Sequence, residues 1–340
     1  MPIPTRKIGD KEFPAIGFGL MGISIAYGTI NMTDEERLKV LDRAYELGCI
    51  HWDTSIVYGD SEALIGKWFE RTGKRSEIFL ATKFGIKFDA KTYAFSTDNS
   101  AACMRSSLEK SLSDLKTDYI DLYYVHRIQK TQPIEVTVRE LAKYVKEGKI
   151  RHIGLSECSS ATLRRAHAVH PIAAVQVEYS PFQLDIESEK IGILKTAKEL
   201  GIQVVAYSPL GRGLLTGQIK SLNDLEDTDF RKNLPMYVEN FDKVLGISDK
   251  LKDIGKRHNA TAGQIALAWL LTRGDNVITI PGTKRIKYLE ENYKALEINL
   301  SSKEQDEVLD AINAASLVAG DRYPANMVDA LFADTVELEE

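Results

Sequence analysis

YIDLYYVHRIQKTQPIEVTVRELAKYVKEGKIRHIGLS, residues 119–156, decides the architecture of this chain. Its first run, YIDLYYVH, is apolar on both alternating faces, as expected of a parallel strand buried beneath helices. VRELAKYVKE then takes up a helical pattern and stops at Gly148, a residue that tolerates the left-handed turn ending a helix. IRHIGLS is a second strand. The same alternation extends in both directions, through AIGFG (15–19), IHWD (50–53) and IFLATK (78–83) upstream and AAVQVEYS (173–180), QVVAYS (203–208) and VITIP (277–281) downstream. Most of these runs are followed by a helical segment. In TDEERLKVLDRAYELG (33–48), Thr33 and Glu36 stand in capping-box relation and Gly48 is a natural stop. Further ends are Ser61 with Gly73 around EALIGKWFERT, and Gly201 after IGILKTAKEL.

Eight such strands predict a closed (β/α)8 TIM barrel, an α/β fold in which one core serves the whole of residues 1–340 as a single domain. Extra helices are expected over FDKVLGISDKLKDIGKRH (241–258), AGQIALAWLLTR (262–273) and SSKEQDEVLDAINAA (301–315), and an irregular acidic C-terminal tail runs to Glu340. The stretch from Leu222 to Asn240, rich in Asp, Asn and Pro, is expected to be an irregular loop. No internal repeat or low-complexity tract is present.

Composition narrows the function class. A net charge of −5 with 27% charged residues gives no electrostatic footprint for nucleic acid. The three cysteines, Cys49, Cys103 and Cys158, have no paired or CxxC spacing, so neither a disulfide framework nor a zinc site is expected. The histidines form no metal-ligand spacing, and no metal is assigned. There is no apolar stretch of membrane-spanning length and no signal-type N-terminus, which predicts a soluble cytoplasmic protein without a membrane partner. A monomer is the simplest oligomeric state, since no heptads are visible.

Barrels of this kind place their chemistry at the C-terminal ends of the strands. There the runs end in Asp53, Lys83, His126 and Ser156, while AAVQVEYS carries Gln176 and Glu178. Any one of these has a packing explanation: a solvated strand end, or a histidine bonded to a backbone carbonyl. Their coincidence argues for a site. Asp53 and Lys83 would neutralise each other, and Tyr58, five residues after Asp53 in DTSIVYG, could turn its hydroxyl over the same mouth. Lys83 is expected to draw the Tyr58 pKa down from its ordinary value near ~10, making the phenol a usable proton donor.

DTSIVYG, ATKFG, YIDLYYVHR, KIRHIGLSE, VQVEYSPF, VAYSPLGRG and IPGTKRIKYLEEN, in that order across nearly the whole chain, resemble the aldo-keto reductases. The likeness is to a fungal branch that includes pyridoxal reductases and broad-specificity aldehyde reductases. It implies an NADPH-dependent oxidoreductase that reduces aldehydes or ketones to alcohols. Tyr58 would then be the general acid, Lys83 and Asp53 the pair that tunes it, and His126 the residue that orients the substrate carbonyl. Ser156 and Gln176 would meet the nicotinamide carboxamide and Tyr207 would stack on the ring. Ser208, Pro209, Leu210, Gly211 and Gly213 resemble the loop that closes over the pyrophosphate. At the adenosine end, Thr283, Lys284 and Lys287 would meet the 2′-phosphate, and Glu291 with Asn292 the adenine. The run GFGLMG lacks the GxGxxG spacing, which disfavours a Rossmann domain.

The chain departs from the family pattern at Glu157, where many relatives carry an asparagine, and at Tyr288, where other branches carry an arginine. The loop YGDSEALIG is also shorter than in several relatives. Two further readings stay open at this stage. One is a catalytically idle nicotinamide-binding regulatory subunit, since potassium-channel β-subunits resemble the same family. The other is alcohol oxidation as the physiological direction, because one site stabilises the same transition state both ways. The small-molecule carbonyl substrate would be shaped by Tyr27 to Met32, Phe84 to Asn99 and Leu222 to Asn240. Phe84, Phe88, Tyr93 and Phe95 there fit an aromatic wall or ordinary core packing equally well.

Overall fold

The computed structural model describes residues 3–25, 30–89, 94–227, 229–316 and 321–339. Eight strands form one parallel sheet in chain order: β1 (Phe18–Gly19), β2 (His51–Asp53), β3 (Phe79–Phe84), β4 (Ile120–Val125), β5 (Ile150–Ser156), β6 (Ile172–Glu178), β7 (Gln203–Tyr207) and β8 (Val277–Thr279). Parallel bridges Ile16↔Thr279 and Gly19↔Gly282 join its two edges. Across that seam the Gly17 amide donates to the Thr279 carbonyl at 2.8 Å, and the Thr279 amide to the Ala15 carbonyl at 3.0 Å. The sheet is therefore a closed barrel, which leaves no unpaired edge. Glycine is needed at the seam, because a Cβ on Gly19 would lie 2.6 Å from the Ile280 carbonyl oxygen.

The strands are buried on both faces because helices cover the outside. Helix Asp34–Glu46 starts with the capping box predicted from Thr33 and Glu36, and Gly48 follows its end at φ 78°. Helix Ser61–Thr72 ends at Gly73 in the left-handed conformation, but Asp60, not Ser61, holds the cap position. Ser61 is drawn inward, its hydroxyl accepting from Thr54 Oγ1 at 2.8 Å. Helices Ala101–Asp114, Ile134–Lys146, Ser160–Val169, Ile193–Leu200, Ala262–Leu271 and Ile286–Lys294 continue the outer layer. Helices Phe241–His258 and Ser302–Ala315 pack against one another as extra elements. No helix among the described residues is long and apolar enough to cross a membrane.

The end of the barrel away from the strand C-termini is closed by an N-terminal hairpin, Thr5–Ile8 with Lys11–Pro14. Phe13 sits there against the rings of His51 and Phe79, at 4.8 and 5.0 Å. At the opposite end, a second hairpin, Ile86–Asp89 with Ala94–Thr97, follows β3. Residues 222–240 are less irregular than expected: they contain turns at Leu222–Asp224 and Phe230–Asn233 and a short helix, Pro235–Glu239. Proline at the first helical position explains that helix, since its missing N–H would be unpaired there anyway. Of the expected mouth segments, residues 27–29, residues 90–93, which include Tyr93, and residue 228 lie outside the described residues. Phe84 is a core side chain stacked on Tyr123 at 5.1 Å.

Candidate active site

Parallel strands in register bring their C-terminal residues to one rim. Lys83 stands opposite Tyr124 in the β3–β4 register, Gln176 opposite Ser156, and Glu178 opposite Tyr207. Lys83 is fully buried, and its Nζ donates to Asp53 Oδ1 at 2.5 Å and to the Thr54 carbonyl at 2.6 Å. The second Asp53 oxygen accepts from Gln176 Nε2 at 2.8 Å. Burial pushes the Asp53 carboxyl upward, and Lys83 and Gln176 pull it back. Both carboxylate oxygens are thus held, which fixes the ammonium relative to the neighbouring phenol.

Tyr58 lies on the turn after β2, held by its amide bonded to the Ser55 carbonyl at 3.0 Å. Lys83 Nζ sits 5.0 Å from the Tyr58 ring centroid, and the His126 ring meets the Tyr58 ring edge-on at 5.7 Å. The expected downward shift of the Tyr58 pKa does not hold. Burial raises it above 10.0; Lys83 and Arg127 lower it, but desolvation of the phenolate outweighs them. Tyr58 is accordingly a protonated phenol at neutral pH. Burial first, then Lys83 and Arg127, hold the His126 ring well below the usual imidazole range, so it is neutral. Its Nδ1 lies 3.1 Å from the hydroxyl of Ser55.

The residues expected at the nicotinamide are here held by protein partners. Ser156 Oγ accepts from Arg127 Nη1 at 3.2 Å, and the Tyr207 hydroxyl donates to Glu157 Oε1 at 2.8 Å. Glu157 adopts a left-handed φ of 51° and is completely buried. Its carboxylate takes a bidentate pair from Arg322, at 3.2 and 2.7 Å, and the Glu178 amide at 3.1 Å. Burial alone would raise its pKa, yet Arg322, Arg127 and the hydrogen bonds hold it at about 2. Beside it, Arg212 pairs with Glu178 at 2.9 Å and donates to the Tyr323 hydroxyl at 2.7 Å.

Farther along the rim, Ser208, Gly211, Arg212 and Gly213 all have left-handed φ, which bends the chain after β7 into a tight loop through half-buried Leu210 and buried Pro209. A Cβ on Gly263, at the start of helix Ala262–Leu271, would touch Leu210. Tyr288 donates to Gln218 Oε1 at 2.9 Å and so ties this loop to helix Ile286–Lys294. That helix has no side-chain cap and begins among Thr283, Lys284, Arg285 and Lys287. Thr283 Oγ1 accepts from the Arg285 amide at 3.1 Å. Glu291 accepts from Thr261 Oγ1 at 2.8 Å, and Asn292 is buried one residue on. The Tyr288–Gln218 bond and the Gly263–Leu210 approach thus bring the 208–213 loop and helix Ile286–Lys294 to neighbouring positions.

Sequence reading missed Ser55, Arg127, Arg322 and Tyr323. Ser55 and Arg127 carried a signal, since each is polar and within two residues of a strand end. Arg322 carried none, because only the folded tail brings it to Glu157.

A family model described as "Aldo/keto reductase family" matches residues 15–313. This chain belongs to the aldo/keto reductase family. It is 51% identical to an aldo-keto reductase of Strobilurus tenacellus over 100% of both chains. It is 49% identical to an aldo-keto reductase of Schizosaccharomyces pombe, named as NADP(+)-dependent, over 98% of both. The structure of a glycerol dehydrogenase from Gluconobacter oxydans superimposes with a TM-score of 0.83 at 27% identity, covering 94% of this chain and 98% of that one. The matched span, residues 15–313, includes the segment from Asp53 to Asn292.

Proposed function

We propose that this aldo/keto reductase family member reduces small aldehydes and ketones to alcohols, with NADPH as hydride donor, and that residues 1–340 act as one catalytic domain. The observation that carries the reading is the meeting of Tyr58, the Lys83–Asp53 pair and neutral His126 at one end of a closed barrel. The rim fits the cofactor: an uncapped helix start beside Thr283, Lys284 and Lys287 suits a phosphate, and the left-handed loop at 208–213 allows close backbone approach. Glu291 and Asn292 would border the adenine, while Ser156, Gln176 and Tyr207 would border the nicotinamide. When bound, NADPH supplies the hydride that reaches the carbonyl carbon.

The protein's own groups do the rest. Tyr58 gives its phenolic proton to the carbonyl oxygen, and the Lys83 ammonium stabilises the phenolate left behind. Asp53, fixed by Gln176, keeps Lys83 in place. Ser55 engages Nδ1 of His126, which leaves Nε2 as the ring nitrogen that faces the same carbonyl oxygen. Water returns a proton to Tyr58 after the alcohol leaves.

The test follows the loss of reduced nicotinamide absorbance with an aldehyde panel that includes pyridoxal, for wild type and Tyr58→Phe. Turnover by wild type, with the variant keeping NADPH affinity but losing at least about 100-fold in rate, is the expected result. Equal rates in both would remove Tyr58 from the mechanism. Tight NADPH binding without turnover of any aldehyde would favour a regulatory role.

A further inference from the structure

Arg127 follows His126 at the end of β4 and is only 8% exposed. Its Nη1 donates to the His126 carbonyl at 2.9 Å and to the Ser156 hydroxyl at 3.2 Å, both uncharged acceptors. The other buried cations of the mouth each have a carboxylate: Lys83 has Asp53, Arg212 has Glu178 and Arg322 has Glu157. Among the described residues, no carboxylate lies within ion-pair distance of Arg127. Glu157 is close enough for its field to be felt, but its oxygens are occupied by Arg322, Tyr207 and the Glu178 amide. Of these four cations, Lys83, Arg212 and Arg322 each bond a carboxylate, and Arg127 bonds uncharged acceptors.

Burial works against the Arg127 charge and nearby Glu157 supports it without bonding it, so an arriving anion that bonds the guanidinium directly gains a charge-assisted hydrogen bond in a poorly screened place. Arg127 directly follows His126 and donates to its backbone carbonyl at 2.9 Å, so a group held on the guanidinium would lie at the same rim as the reacting carbonyl. We propose that Arg127 anchors a carboxylate of the substrate, and that the preferred substrates are aldehydes or ketones that also carry a carboxylate. This inference rests on the reductase reading above. It adds a substrate class to it.

The experiment uses matched pairs, an aldehyde acid beside its neutral amide: glyoxylate, a four-carbon semialdehyde and 3-carboxybenzaldehyde, each with its carboxamide counterpart. Wild type should favour the acid in kcat/KM by roughly tenfold to a hundredfold for at least one pair, the loss falling mainly in KM. Arg127→Met should bring the acid-to-amide ratio of kcat/KM to about one, whatever loss the two substrates share through Ser156 and His126, and Arg127→Lys should restore part of that ratio, which separates charge from misfolding. NADPH affinity, followed by fluorescence, reads separately any loss that passes through Ser156, which Arg127 holds. The proposal is overturned if wild type shows no acid preference, if acid and amide fall together in Arg127→Met, or if only NADPH affinity moves. In that last case the guanidinium serves the nicotinamide carboxamide instead. Should no aldehyde turn over, isophthalate binding to the NADPH complex, measured by calorimetry, still decides: wild type binding it no better than Arg127→Met refutes the anchor independently of the reductase reading.

Discussion

Replacing Glu157 by glutamine removes the charge from a fully buried carboxylate that receives two bonds from Arg322, one from Tyr207 and one from a backbone amide. Its pKa lies at about 2 in the fold against 4.5 ordinarily. At about 1.36 kcal/mol per unit, the charged carboxylate contributes about 3 kcal/mol to stability at neutral pH. Because the folded pKa is the lower one, this contribution is complete above about pH 5 and is lost as pH falls towards 2. At pH 3 the same linkage leaves about 1.4 kcal/mol. Urea unfolding of wild type and Glu157→Gln at pH 7 should differ by about 3 kcal/mol, the variant also stranding the Arg322 cation. Between pH 5 and pH 3 the gap should shrink by about half. A gap below about 0.5 kcal/mol at pH 7, or one that does not change with acidification, would refute the reasoning, because either result means Arg322 does not need the charge.

Gly19→Ala should weaken the barrel seam, since the new Cβ would meet the Ile280 carbonyl oxygen at 2.6 Å. A loss of about 1–3 kcal/mol in urea unfolding is expected, and an unchanged midpoint would mean that the seam yields freely. Lys287→Met should weaken NADPH by about 1 kcal/mol, roughly fivefold, while sparing NADH, with the difference fading at high salt. Titration of both cofactors checks this, and an equal loss for both would place Lys287 away from the 2′-phosphate.

Much of the architecture was legible along the chain because its signals are local. Eight apolar runs separated by helical patterns became eight parallel strands in chain order, and the Thr33–Glu36 capping box formed where the spacing put it. The rim residues could be picked out for a similar reason, since a strand that turns polar at its C-terminal end in a barrel has one place to point. The seam was not visible, because the contact between Gly19 and Gly282 depends on closure of the whole sheet.

Which charges meet, and how dry they are, depends on the completed fold. Strand ends alone indicate that Tyr58 and Lys83 share a rim, but the sign of the Tyr58 shift depends on burial, a property of everything packed around it. Likewise, Glu157 could be recognised as an unusual residue at its position, while its partner Arg322 lies 165 positions away in a tail without periodicity. Local pattern fixes backbone conformation, whereas pairing and desolvation arise from contacts distant in sequence. That is why the chemistry of Arg127, a buried cation left without a carboxylate, emerges only after every neighbouring charge has found its partner.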